Sequence, residues 1–350
     1  MNLARKLAIA GLILAASLVF AAGGQAASKL DLPMSTVYMN THPTVVNAWI
    51  PWFKEMAKLT QGQVQISYYN PNTLTPLADH FDSTIAGTLG IGGNDISRNA
   101  GKFNLSTVMQ LPGLAPGAEC GSLVFWELYN RHPELQKEYS QIKLLWVWAS
   151  ATYQIHTTKK PVKTRADLKG MKIICWDRKT AETIQALGGN PVMVPPTDSY
   201  LALERGMADG VLCPLAPIIS FKISEAVKFT TVCDIAVTGF WAGVSHDLWS
   251  VLSPEAQKAF SDTTGQALAD QSGKSLDQGA VADSKRLKAA GHTFIELSEA
   301  ERADWLKATT PLREKWVAEM EGKGYKNARA IMEDAYQLSA KYAKTTGRGY

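Results

Sequence analysis

Six histidines, four cysteines and the triplet Ser245-His246-Asp247 are the residue types here that could carry catalysis or hold a metal. Their spacing argues against both. His42, His80, His132, His156, His246 and His292 are scattered, with no HExxH pair and no His-Cys set at zinc spacing. Ser245, His246 and Asp247 are triad types, but adjacent residues cannot point at one another as a proton relay requires. No GxGxxG loop, Walker loop or GxSxG elbow occurs. Cys120, Cys175, Cys213 and Cys233 lack CxxC spacing; they are readable either as disulfide partners in an oxidising compartment or as buried thiols acting as small apolar residues. No cofactor or metal is expected.

The polar residues that point to chemistry lie where short apolar runs end. Asn94-Asp95-Ile96-Ser97-Arg98 follows Ile91-Gly92-Gly93, Cys175-Trp176-Asp177-Arg178 closes the run from Lys172, and Cys213-Pro214 closes the run from Gly210. In proteins built from parallel strands and crossover helices, the binding crevice lies outside the strands' carboxyl ends. The helix start near Arg178 would favour an anion there, because its first N–H groups lack partners. Tyr38 and Asn40 end the first run, Gln154 enters the next stretch of strand, and Trp241 ends a later one. The candidate site is therefore Tyr38, Asn40, Asp95, Arg98, Gln154, Trp176, Asp177, Arg178, Cys213 and Trp241. It suits capture of a small polar solute.

The elements that must position these residues follow from periodicity. Residues 164–229 read as two strand-helix units side by side: strand 172–175, helix 178–187 closed by Gly188-Gly189, strand 191–194, a helix begun by Thr197-Asp198, and strand 210–213. Upstream, strand 29–39 precedes a helix in which Val45, Trp49, Trp52, Phe53 and Met56 recur at helical spacing and should face the core. Strand 63–69, helix 77–88, helix 122–129 and strand 142–148 complete that half. Strand 152–161 crosses to the second half, and strand 233–241 returns. Ser253-Pro254 starts a helix with no further Pro before Gly291, which would extend on the order of 50 Å and lean on both halves. Ser298-Glu299-Ala300-Glu301 caps another helix, and 327–342 forms a last amphipathic one.

The first residues carry a separate message. Arg5 and Lys6, an uncharged apolar run from Leu7 to Ala22 and small residues around Gly24-Gln25-Ala26 read as a secretory signal peptide, 1–26, with no Cys to accept lipid. The formal net charge of the 350 residues is +4 with no basic tract, which argues against nucleic acid as a partner. The expected organisation is one domain from 27–151 and 239–280 and a second from 152–238 and 281–350.

Ala166-Asp167-Leu168-Lys169-Gly170-Met171-Lys172-Ile173, Ala186-Leu187-Gly188-Gly189-Asn190-Pro191-Val192, residues 200–210 and Glu225-Ala226-Val227-Lys228-Phe229 together resemble the DctP-type solute-binding proteins of tripartite ATP-independent periplasmic (TRAP) transporters. The resemblance implies an α/β, two-domain periplasmic-binding-protein-like fold with a long helix spanning both domains. It implies a periplasmic receptor that closes on a solute, mostly an organic acid, and delivers it to small and large integral membrane subunits for ion-driven uptake.

Departures from the family pattern bear on the solute. The family usually places an Arg on the strand after Lys172, where it grips a carboxylate by a two-pronged hydrogen bond; this chain has Ile174. A second family Arg corresponds to Gln154, and Cys213 stands where many members have Asn. Arg98, in a loop matching a solute-contacting Arg of sialic-acid-binding members, or Arg178 could hold an anion instead. Alternatively Tyr38, Trp176, Asp177 and Trp241 could enclose an amine. An exported sensory module and an exported hydrolase are further alternatives to a transport receptor.

Overall fold

The computed structural model describes residues 29–99 and 101–347; the expected signal peptide lies outside them. In chain order the first half holds β1 (Leu30–Ser35), α1 (residues 45–59), β2 (Val64–Tyr69), α2 (His80–Ile85), β3 (Ile91–Asp95), α3 (Ala118–Arg131), α4 (Pro133–Glu138) and β4 (Lys143–Ala149). The chain then crosses to β5 (Gln154–Thr157), β6 (Lys172–Cys175), α5 (Arg178–Ala186), β7 (Asn190–Met193), α6 (Ser199–Glu204), β8 (Gly210–Cys213), α7 (Leu215–Ser220) and β9 (Phe229–Val232). It returns through β10 (Gly239–Val244), α8 (His246–Val251), α9 (Pro254–Thr263) and α10 (Gln266–Ala289). Last come β11 (Thr293–Glu296), α11 (Glu299–Thr309), α12 (Pro311–Gly322) and α13 (Ala328–Thr346).

Two sheets result, ordered β2-β1-β3-β10-β4 and β11-β9-β5-β8-β6-β7. In each, the strand that directly follows a crossing runs antiparallel through an otherwise parallel core: β10 between β3 and β4, and β5 between β8 and β9. The parallel trios β2-β1-β3 and β7-β6-β8 therefore aim their carboxyl ends the same way, as the strand-helix reading of 164–229 requires. The aromatic stripe of α1 is core, as its spacing predicts: Trp49, Trp52 and Met56 are buried against Trp146 and Trp148 of β4.

Three expectations need correction. Of the predicted strand 233–241 only residues 239–241 are strand, the start of β10; residues 233–238, between β9 and β10, form the second crossing, hydrogen-bonded to the first through Ser150 N–H to Thr238 O (2.9 Å) and Tyr153 N–H to Ala236 O (2.8 Å). The single helix expected over 255–290 is broken at Thr264-Gly265. Gly265 takes φ +59°, and its N–H turns away to the carbonyl of Leu145 at 2.9 Å. The 24 residues of α10 still extend about 36 Å, enough to put Leu268 and Leu276 in the first lobe's core and Ala280 and Leu287 in the second's. Finally, residues 281–350 do not all join the second lobe. Trp316, Val317 and Met320 of α12 and Ile331, Ala335 and Leu338 of α13 bury with Val124 and Phe125 of α3 in the first. Among the described residues no helix is long and apolar enough to cross a membrane.

α10 is fixed by a close approach that only a residue without Cβ permits: a methyl on Gly273 would lie 2.5 Å from Glu119 Cα. One turn on, Asp277 accepts the first N–H groups of α3, from Ala118 (2.7 Å) and Glu119 (2.9 Å). A cap supplied from across the chain does the work of a local Ser or Asp. Asp277→Ala strands both donors and should cost about 1–2 kcal/mol, read as a lower urea midpoint with unchanged slope; an unshifted midpoint would remove Asp277 from this role.

Candidate functional site

The candidate crevice lies at the carboxyl ends of β1, β3, β6 and β8, where such sheets place their ligands, and along the two crossings. Asp95 ends β3. Its Oδ1 accepts the Ser97 N–H (2.7 Å), which turns the chain into a short 3-10 segment, and meets the Thr238 hydroxyl at 3.4 Å on the second crossing. Burial raises its affinity for a proton, against the Ser97 hydrogen bond and the nearby Arg98 charge. Asp177 ends β6 and caps α5, its Oδ1 accepting the Thr180 N–H at 2.9 Å while the Thr180 hydroxyl faces back. Burial pushes Asp177 up to about 6, and the carboxylate of Asp95 in the opposite lobe adds to that rise.

Tyr153 lies on the first crossing, 6% exposed. Burial, then the charges of Asp177 and Asp95, hold its phenol well above the ordinary range. Its hydroxyl makes no hydrogen bond among the described residues. Tyr38 forms the first lobe's wall: its hydroxyl accepts from Trp148 Nε1 (3.2 Å), its ring stacks on His42 with centroids 4.0 Å apart, and Trp49 and Phe240 pack beside it. Trp176 forms the second lobe's wall, half-buried, its Nε1 donating to Ser199 Oγ at 3.1 Å and its ring edge-on to Phe221. Arg98, exposed beside Asp95, makes no ion pair within 4 Å among the described residues.

The remaining candidates fall elsewhere. Trp241 is fully buried under the first sheet, edge-on to Phe81 at 5.2 Å; β10 turns it to the core and not to the crevice. Gln154 is consumed internally: Nε2 donates to Thr152 Oγ1 (2.9 Å) and Asp234 Oδ1 (2.7 Å), and Oε1 accepts from the N–H groups of Cys233 (2.8 Å) and Asp234 (3.0 Å). It braces the crossings and has no capacity left for a solute. Arg178 turns outward to Glu319 of α12 and to Glu182 at 3.7 Å. Asn40 is exposed on the loop after β1, tied through its own N–H to Asn70 Oδ1 at 2.7 Å. Cys213 is buried at the end of β8, its carbonyl facing His156 Nε2 (3.1 Å) and its thiol pushed well above the usual range by burial. All four cysteines are free and buried.

Ile174 is core, so the position that usually carries a carboxylate-binding Arg holds an apolar side chain here. The N-terminus of α5 is not an open anion site either, because Asp177 already occupies its leading N–H groups. Sequence reasoning missed Tyr153 and Thr238. The signal available was position: both sit where the chain passes from one lobe to the other, and a crevice between lobes must be floored by such residues.

Two lobes presenting strand ends and capped helix starts to one crevice, joined by paired crossings and a shared helix, define a two-lobed solute-binding protein. Residues 34–320 match the DctP family, described as "Bacterial extracellular solute-binding protein, family 7", and the chain belongs to that family. In fold it is similar to a TRAP solute-binding protein of Rhodoferax ferrireducens solved with copurified benzoate (TM-score 0.84, 23% identity, 91% of this chain and 100% of that one). A TRAP periplasmic protein of Bordetella bronchiseptica with bound mandelate is also similar (TM-score 0.79, 25% identity, 89% and 99%). Among curated relatives, the 2,3-diketo-L-gulonate-binding periplasmic protein YiaO of Escherichia coli is 22% identical over 59% of this chain. The C4-dicarboxylate-binding periplasmic protein DctP of Rhodobacter capsulatus is 27% identical over 46%. The chain spans 64% and 49% of those two relatives' lengths.

Proposed function

We propose that this protein is the periplasmic receptor of a TRAP transporter, capturing a small organic acid between its lobes. It then delivers the acid to small and large integral membrane subunits for ion-gradient-driven uptake. The observation that carries the acid reading is Arg98: a cation at the end of a crevice strand, exposed and without an ion-pair partner within 4 Å among the described residues, is available to a carboxylate. The acids bound by the proteins similar in fold support it. Tyr38 and Trp176 supply the apolar walls that a small solute's carbon skeleton would meet.

The test is a thermal-shift and calorimetric series with benzoate, mandelate, glucuronate and succinate. Acid at a hundred times its dissociation constant adds roughly 2.7 kcal/mol of stability. Arg98→Ala should weaken the best acid about tenfold by removing a charge-assisted hydrogen bond, while Arg178→Ala, already engaged by Glu319, should leave it unchanged. A melting temperature raised by amines and by none of the acids would end the acid reading.

A further inference from the structure

The charges facing the crevice are the wrong sign for a plain carboxylate. Asp95 and Asp177 approach it from opposite lobes, and neither has a cation within 4.0 Å among the described residues. Asp95 accepts from the Ser97 N–H and the Thr238 hydroxyl, and Asp177's hydrogen bonds run to the first turn of its own helix. Tyr153 adds a phenol hydroxyl with no partner among the described residues, held close enough to feel both acids. In the second lobe Arg178 and Lys179 are drawn to Glu319 and Arg302 to Asp234 and Glu296, while Ile174 and Cys213 are buried and apolar. Arg98, without an ion pair among the described residues, remains for an anion, and it stands beside Asp95. A buried acceptor left without a donor costs about 1–3 kcal/mol, so closure over these acids is favourable only if something donates to them.

We propose that the solute is an organic acid that also carries a hydrogen-bond donor, a hydroxyl or an ammonium group, and that Asp95 and Asp177 receive that donor between the lobes while Arg98 meets the carboxylate. This rests on the acid-receptor reading and narrows it. Tyr153, able to donate or accept, bridges the acids to the solute. The arrangement discriminates against the parent acid by desolvating two acceptors that it cannot satisfy.

Matched pairs of probes decide it, with affinities measured calorimetrically at pH 7: 3-hydroxybenzoate against benzoate, mandelate against phenylacetate, malate against succinate, and 3-(aminomethyl)benzoate against 3-methylbenzoate. The donor-bearing member of at least one pair should bind about tenfold or more tightly. Asp177→Asn and Asp95→Asn, which keep an acceptor oxygen and the local caps, should erase an ammonium preference and shrink a hydroxyl preference. Preference in the ammonium pair alone identifies a zwitterionic solute, and preference in the hydroxyl pairs a hydroxy acid; either supports the proposal. Parent acids binding as tightly as their partners, or a preference untouched in both Asn variants, would overturn it while leaving the acid receptor standing. No binding by any probe would remove both.

Discussion

At pH 7, Asp177→Asn makes the solute-free protein more stable by about 2–3 kcal/mol, and near pH 4 the gain disappears. The Asp177 carboxyl holds its proton to about 6 when folded, against the ordinary 3.8, because burial and then the charge of Asp95 disfavour ionisation. The folded state therefore binds more protons than the unfolded one between these values. Stability from this group is fully present below the unfolded value and is lost as pH rises through the folded one. Each unit of difference is worth about 1.4 kcal/mol. The Asn variant has no proton to lose and retains an oxygen for the Thr180 N–H, so it keeps the cap. Paired melts at pH 4, 5, 6 and 7 would show the difference between the proteins opening over this range; equal melting temperatures at pH 7 would show that Asp177 is not strained in the empty crevice. A residue whose removal stabilises the empty protein is most simply kept for what it binds.

Trp316→Ala should cost about 3–5 kcal/mol, the range for emptying a fully buried aromatic site. Trp316 lies wholly inside the first lobe's core with Val317 and Met320, and its Nε1 donates to Thr107 Oγ1 at 2.8 Å. A flank of the same helix reaches the second lobe. Glu319, partly buried, accepts from Lys179 (3.0 Å), from Arg178, and from Lys323 at 3.1 Å, and these cations hold its carboxyl down at about 2. Loosening α12 in one lobe therefore releases its tie to the other. Urea titration monitored by fluorescence and by far-UV circular dichroism gives the loss directly. A change under about 1 kcal/mol would mean that the cavity collapses or that α12 is not anchored where it lies. Trp316→Phe should recover most of the packing but not the Thr107 hydrogen bond.

Much of the fold was readable because it is locally encoded. The strands at 172–175 and 210–213, the α1 stripe and the Ser298 cap each depend on neighbours within a few residues, and each is present as read. What failed depends on distant chain. The 255–290 helix breaks because Leu145 offers a carbonyl to the amide of Gly265, and the lobe assignment of α12 and α13 is decided by α3 and not by position in the sequence. The site divides the same way. Asp95 and Asp177 lie at strand ends as the sequence reads, whereas Trp241 and Gln154 lie inside the structure. Which face of β10 is inward, and whether an amide is already spent on the backbone, are set by partners 80 or more residues away. Arg178 was misjudged for the same reason: Glu319 lies 141 residues on.

The discontinuity of the lobes also sets a clock on how the molecule comes into being. The first lobe's core needs Phe125 and Trp241 and then Ile331 and Leu338 from the last helix, so no early stretch of chain can complete it. Contacts so far apart in sequence delay folding, since long loops must close before any burial rewards them. The part of the first lobe's core that contains α13 therefore closes only once almost the final residues have been made.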